Sequence, residues 1–542
     1  MEFKDVIVVG LLFISAFYLY TLPIKSSEFP FGEGDAAHKF GLADWIYTTD
    51  RALPDAPFFY AVWYPYVFKD DFFRVPNPPS YAVNIAMTRF VGGDRFLAPN
   101  IFFAITACAL SIITIYFLIR KIYDFWTATL TSLLLLFPMQ NIMAYLWGQR
   151  PHLLALAYIP LIIYCMHRYV SNKKQVYIII ASLFSAAATV IYFQIFILIA
   201  AFLAIYLTAS FAKKREAPLK LTHAILPTVL FIIITIPFLP NIMFEGNSAN
   251  GGIQIQNLAG LLHWFKPGPN IMNPGMYDYG QAHAWWTLPF LSLGIILVVF
   301  RRRESDILLL SLLVSLYLVL HLDVLNLVDQ GRASRLIYAS PYVFYPLTAI
   351  GFLAVISFFK LRPNHKTMLK YGMVAVFVTL TILFSFKPAL NQLKGAYPPL
   401  MRMTPYQYEA AQWLENNVED ESLIYMRGSI TYPKARWIHM ISHKPMMVGS
   451  SRELQNLDQE MIFFQQTEKE AESFPTVNHI THTVFDYSDY KLIEINAGND
   501  PGLKQHAQQQ METLAQLEAS LAKNASLIYD ENFIKVYKLA ST

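Results

Sequence analysis

"KKQVYIIIASLFSAAATVIYFQIFILIAAFLAIYLTASFAKKR", residues 173–215, is the stretch whose reading decides the topology. Its apolar core, 175–212, exceeds the ~20 residues that one helix needs to cross the hydrocarbon layer. The excess is accommodated by a break near Tyr192–Gln194, which yields two short helices. The break also returns the basic cluster Lys213–Lys214–Arg215 to the side on which Lys173–Lys174 begins.

The same alternation extends along the whole chain. Apolar segments are expected at 5–24, 98–119, 125–146, 151–169, 175–192, 194–212, 221–243, 284–300, 306–322, 336–358 and 368–387, eleven in all. Arg120–Lys121, His167–Arg168 with Lys173–Lys174, Lys213–Lys214–Arg215, Arg301–Arg302–Arg303 and Lys360–Arg362–Lys366 follow segments 2, 4, 6, 8 and 10. Lysine and arginine favour cytoplasmic loops, so these define the inner side. The N-terminus is then inside and the C-terminus outside. Val6–Ile24 lacks a small-residue cleavage site and reads as a retained anchor.

Composition agrees with a polytopic α-helical membrane protein. Hydrophobic residues make up 55% of the 542 and charged residues 15%, against about 25% in soluble chains. A net charge of +4 without a basic stripe argues against nucleic-acid binding. Cys108 and Cys165 lie in apolar runs and do not form a disulfide framework or a zinc site.

The organisation expected is a membrane domain over 1–388, with a large outer loop at 25–97 and another at 244–283, and a soluble α/β domain at 389–542. The prolines of 25–97 exclude one long helix and favour short interfacial helices anchored by Trp63, Tyr64 and Tyr66. Downstream, "TPYQYEAAQWLENNV" reads as a helix capped by Thr404, "SLIYMRG" and "KPMMVGS" as strands, "DPGLKQHAQQQMETLAQLEASLAKN" as a helix and "ASLIYDENFIKVYKLA" as a hairpin.

Polar residues gather at the outer ends of the spans, where a membrane enzyme meets both lipid and water. "FPFGEGDAAHKF", 29–40, places Glu33, Asp35, His38 and Lys39 just outside the first span. Gly32 and Gly34 permit a tight turn there, and a carboxylate so placed can deprotonate an acceptor hydroxyl or amide; a solvated loop with lysine-paired charges is the other reading. "AYLWGQRPHLLALAY" brings Trp147, Gln149, Arg150 and His152 together, as a substrate contact or as a snorkelling interfacial belt. Arg332 and Arg335 lie on the outer side, three apart, suited to holding phosphate oxygens or to pairing with Asp323 or Asp329. The Gly- and Asn-rich 244–283 loop suits a mobile cover whose Tyr277, Asp278, His283 and Trp285 can contact sugar.

With these residues in view, the chain resembles the GT-C superfamily of polytopic glycosyltransferases. The resemblance is carried by "GEGDAAHKF" (32–40), "PNPPSYAVNIAMTRFVGG" (76–93), "WGQRPHLLALAYIPL" (147–161), "GRASRLIYASPYVFYPLTAIG" (331–351) and the closing "LIYDENFIKVYKL" (527–539). It implies a GT-C-like fold in the plasma (inner) membrane, multi-pass, with the C-terminal domain extracytoplasmic. It implies inverting transfer of a sugar from a polyprenyl-phosphate-linked donor to a glycan, lipid or protein acceptor. Asp35 is then the catalytic base and Arg332 or Arg335 holds the donor phosphate. Glu33, His38, Gln149, Arg150, His152, Tyr277 and His283 complete the expected substrate-binding set.

Two features depart from the oligosaccharyltransferase catalytic subunit, a relative in that superfamily: there is no Trp-Trp-Asp-Tyr-Gly motif, and "WGQRPH" replaces an acidic pair after the third span. Asp35, His38 and His152, with Glu33, form a mixed set that suits Mg²⁺ or Mn²⁺; a metal-free enzyme binding phosphate through arginine is the alternative. A lipid-linked-substrate transporter or flippase and a non-catalytic GT-C-fold assembly protein are the rival functions. The absence of an inverted repeat in the sequence argues against the transporter.

Overall fold

A computed structural model describes residues 2–25, 32, 34–49, 80–238, 279–321, 335–357, 363–394, 403–420, 422–428, 432–448, 454, 456–471, 479–498 and 500–540. Trp63, Tyr64 and Tyr66, the expected interfacial anchors, lie outside them, as does most of the 244–283 loop.

The decisive run does break where its length requires. Helices span Gln175–Ile191 and Gln194–Lys214, and Tyr192 between them is extended, with φ −153° and ψ 102°. The Tyr192 hydroxyl donates to Gln194 Oε1 at 2.8 Å and secures the corner. Within the described residues every other expected segment falls on helix, several of them composite. Leu97–Phe103 runs through a π-helical stretch, Ala104–Ala109, into Leu110–Ile122. Phe125–Leu134 and Met139–Leu146 bend by 46° around Pro138, which cannot continue a helical ladder.

By length and composition, six helices of the described residues can cross a membrane, or seven if the bent pair is one span. The expectation of eleven is thus not reached on that criterion. Gln175–Ile191, Leu221–Thr235 and Trp285–Arg301 are apolar but short, and Glu304–Leu320 carries Glu304 and Asp306 in its first turn.

The basic connections touch one another at one end of the bundle. Lys213 Nζ donates to the Arg302 carbonyl at 2.7 Å, and Lys214 pairs with Glu304 at 2.8 Å. Asp5 accepts from Tyr116 at 2.7 Å and from Arg120 Nε at 2.8 Å, which ties the start of the first helix to the end of the next long one. Lys214–Glu304 and Asp5–Arg120 each join the end of one helix to the start of another, an antiparallel relation, whereas Lys213 and Arg302 both stand at the C-terminal ends of their helices. Leu288–Arg301 packs along Pro341–Ser357, with Phe290 edge-on to Phe352 at 4.9 Å and Phe352 to Phe377 at 4.7 Å.

The C-terminal unit is built on a five-stranded sheet of order β2-β1-β3-β5-β4. Its strands are β1 Leu423–Arg427, β2 Met446–Val448, β3 Ile480–Asp486, β4 Ala525–Glu531 and β5 Ile534–Leu539. β1 runs parallel to β2 and β3; β5 is antiparallel to both β3 and β4. The expected strands, the hairpin and the Pro501–Leu521 helix are present. Thr404 caps Pro405–Asn417 in a reciprocal box: its hydroxyl accepts from the Gln407 amide at 3.1 Å, and Gln407 Oε1 accepts from the Thr404 amide at 3.0 Å. The central strand β3 was not anticipated. Covered on both faces, it lacks the alternation that marks a half-exposed strand.

Candidate functional site

Two of the polar islands meet at a glycine corner. Met139–Leu146 ends in a Schellman arrangement: the Gln149 amide donates to the Ala144 carbonyl at 2.8 Å and the Gly148 amide to Tyr145 at 3.2 Å. Gly148 has φ +85°, and Pro151 opens the next helix, Arg150–Leu156. The bare Gly148 backbone lies against Ala36, which belongs to the helix Gly34–Thr49. A Cβ placed on Gly148 would sit 2.5 Å from the Ala36 Cβ; one placed on Gly32 would sit 3.4 Å from the Gly148 Cα. The turn that precedes Asp35 therefore touches the corner that precedes Arg150.

Arg150 and His152 are buried with no exposed surface, so neither snorkels to an interface. Arg150 Nη1 donates to Asn100 Oδ1 at 2.5 Å. Its guanidinium lies 5.4 Å from the Tyr145 ring and 5.9 Å from those of Phe40 and Phe103. Phe40 belongs to the same helix as Asp35, so this cation links the Gly34–Thr49 helix to Leu97–Phe103.

His152 joins the third island. Its ring stacks at 4.4 Å on Tyr192 and meets Tyr338 edge-on at 5.0 Å. Tyr338 lies in the Leu336–Ala339 turn, which starts directly after Arg335. Among the described residues neither His152 nitrogen has a hydrogen-bond partner, and neither has Trp147 Nε1. Buried polar atoms without partners are uncommon in folded proteins and mark a place where another molecule can bind.

His283 stands in a different setting. Its Nδ1 lies 3.2 Å from the Tyr345 hydroxyl and its Nε2 lies 3.0 Å from Ser340 Oγ, which donates to Gln140 Oε1 at 2.9 Å. Both ring nitrogens are engaged by protein, so His283 ties the end of the 244–283 loop to the bent span and to the arginine-led helix. Gln149 is buried at the corner beside Gly148. Asp35 and His38 lie in the Gly34–Thr49 helix, but their side chains fall outside what is described. Glu33, Tyr277, Asp278 and Arg332 lie outside the described residues altogether. Among the described residues no three of His, Cys, Asp and Glu converge on a point where an ion could sit.

A charged seam beside these residues escaped the sequence reading. Asp44, buried on the Gly34–Thr49 helix, pairs with Arg89 and accepts from Arg95 Nε at 2.6 Å. Arg95 Nη2 donates to the Met440 carbonyl at 3.3 Å and lies 3.2 Å from His443 Nε2. His443 Nδ1 lies 3.0 Å from Glu415. Burial alone would raise the Asp44 pKa, but His443, Arg95 and Arg89 leave it lowered. No local signal reveals the seam, because Arg95 and His443 are 348 residues apart.

Residues 77–243 match the sequence model of the dolichyl-phosphate-mannose-protein mannosyltransferase family. No curated protein matches the chain at a significant level. Among solved structures, the chain is similar to the oligosaccharyltransferase of Archaeoglobus fulgidus in its apo form, with a TM-score of 0.62 and 13% identity over 100% of this chain and 75% of that one. The A. fulgidus enzyme AglB, in complex with an inhibitory peptide and a dolichol-phosphate, aligns at a TM-score of 0.55 and 13% identity, with coverage of 100% and 75%. ArnT from Cupriavidus metallidurans, bound to undecaprenyl phosphate, aligns at 0.53 and 10%, covering 98% of this chain and 97% of its own. The family match thus covers residues 77–243, and the likeness in fold to these solved structures extends over 98–100% of the chain.

Proposed function

We propose that this chain is a membrane glycosyltransferase that moves a sugar from a polyprenyl-phosphate-linked donor to an acceptor at the outer face, with inversion at the anomeric carbon. The observation that carries this reading is His152: fully buried, with neither ring nitrogen partnered among the described residues, against Tyr338 in the turn that follows Arg335, on the helix whose leading corner touches the turn before Asp35. The dolichol-phosphate and undecaprenyl phosphate bound to AglB and ArnT support a lipid-phosphate donor. The membrane unit is 1–388 and the extracytoplasmic unit 389–542, in a plasma (inner) membrane, an orientation supported by the clustering of basic connections.

In the reaction, Asp35 removes the proton from the acceptor hydroxyl as its oxygen bonds to the anomeric carbon. The bond from that carbon to the donor phosphate breaks, and its electron pair leaves on the phosphate oxygen. Arg335 and Arg332 neutralise that growing charge, an effect stronger in a dry site than in water. His152 and Trp147 donate to the same phosphate or to the sugar, and Arg150, already held by Asn100, fixes the corner between them. A divalent ion, when bound, would polarise the phosphate; His152 is the described side chain with a free nitrogen to offer it.

The test uses the purified full-length protein with labelled undecaprenyl-phosphate- and dolichyl-phosphate-linked hexoses. Asp35→Asn should cut sugar release to a small but measurable residue while the protein still binds the lipid phosphate. Arg335→Ala and Arg332→Ala should raise donor KM or lower kcat/KM. Wild-type release by Asp35→Asn would remove the base, and unchanged kinetics in both arginine variants would remove the phosphate clamp.

A further inference from the structure

The Tyr432–Ser442 helix of the C-terminal unit packs across the Gly34–Thr49 helix. It grips that helix at two points. Trp437, only 1% exposed, donates from Nε1 to the Gly32 carbonyl at 3.0 Å. Its ring stands edge-on to Phe40 at 5.3 Å and to Phe96 at 6.3 Å. One turn further along the same helix, the Met440 carbonyl accepts from Arg95, which in turn holds Asp44. The first point lies just ahead of the Gly34–Thr49 helix and the second near its middle, so together they set its rotation and its position along its axis.

Gly32 is buried with φ +120°. On one side it faces Ala36 and the Gly148 corner; Trp437 takes its carbonyl on another. A buried carbonyl that loses its donor is left unsatisfied, so the turn has reason to shift when the indole is absent. We propose that Trp437 is a positioning residue for Asp35: its indole N–H fixes the Gly32 carbonyl, and the backbone leading to the aspartate is thereby set by the C-terminal unit as well as by the membrane unit. The inference rests on the reading of Asp35 as the base. It makes the C-terminal unit part of the catalytic apparatus through a residue that never touches substrate.

Trp437→Phe tests it in the full-length protein, because phenylalanine keeps an aromatic ring in the cluster and removes the N–H donor. The assay is release of labelled sugar from undecaprenyl-phosphate- and dolichyl-phosphate-linked hexoses, with hydrogen–deuterium exchange of the 34–49 amides as a readout independent of activity. Expected are a roughly tenfold fall in kcat, equivalent to ~1.4 kcal/mol, with donor KM and the melting temperature retained, and faster exchange in 34–49. In an Asp35→Asn background, Trp437→Phe should cause no further loss of residual release, because it acts through the aspartate. Wild-type kcat in Trp437→Phe beside a strongly impaired Asp35→Asn would overturn this proposal alone. An additive loss in the double variant would overturn it as well. Full release by Asp35→Asn would remove the base and this proposal together.

Discussion

Gly148 and Ala36 are 112 positions apart and in van der Waals contact: a methyl group added to the glycine would stand 2.5 Å from the alanine Cβ and 3.2 Å from its amide nitrogen. Gly148→Ala therefore suffers twice. It places a side chain at φ +85°, worth about 1–2 kcal/mol, and overpacks the contact for about 1–3 kcal/mol more. The purified variant should melt several degrees lower and lose sugar release disproportionately. An unchanged melting temperature would mean that the corner and the Gly34–Thr49 helix do not pack in this way.

Asn100 holds a buried guanidinium, and Asn100→Ala removes that acceptor. A hydrogen bond to a charged group contributes about 1.5–3 kcal/mol. The variant should lose stability on that scale in thermal melts, with Asn100→Asp, which keeps an acceptor, closer to wild type. Equal melting of the alanine variant and wild type would show that other partners of Arg150 suffice.

His443 gives the seam between the two units a pH dependence. Burial lowers its pKa, but the Asp44 and Glu415 carboxylates outweigh burial and leave it raised, while Arg95 opposes them. A raised histidine stabilises fully below its ordinary value of 6.5 and loses that contribution as pH climbs through the folded value. Asp44 and Glu415 are both lowered, so their share is present above the ordinary carboxylate range and disappears on acidification. The melting-temperature gap between wild type and His443→Gln should be widest near pH 6 and shrink towards pH 8.5. A gap that stays constant over this interval would show that His443 is not protonated in the folded seam.

Arg427 and Glu460 form a bidentate pair inside the C-terminal unit, at 2.7 Å for both bonds, with almost no exposure. Glu460→Ala leaves a buried cation uncompensated and should cost about 3–5 kcal/mol. Replacing both partners, as Arg427→Met with Glu460→Leu, should recover most of that loss in denaturant titration. A double variant no better than Glu460→Ala would mean that the pair is needed for folding in a way its charge does not explain.

Much of the architecture was legible because membranes impose local rules. Length and hydropathy mark helices, and lysine and arginine order the connections, so the break at Tyr192 could be read without any tertiary information. The Thr404 cap and the β4–β5 hairpin were legible because their partners lie a few residues apart. The candidate site was legible only as separate islands. His152 stood out as a histidine beside an arginine, yet nothing local showed that its partners would be Tyr192 and Tyr338. His283 looked like a sugar contact in a loop, whereas its nitrogens are taken by Tyr345 and Ser340.

Composition and periodicity by themselves determined that this is a helical membrane protein with a C-terminal α/β unit, because both are set by interactions over a few residues and by the thickness of a bilayer. Only the tertiary structure decided that Gly148 closes on Ala36, that Arg95 and His443 share Asp44, and that Trp437 crosses 405 positions to take the Gly32 carbonyl. Contacts of that kind depend on how helices of similar composition choose their neighbours. That choice rests on shape and on the pairing of buried polar groups, which no short window of sequence contains.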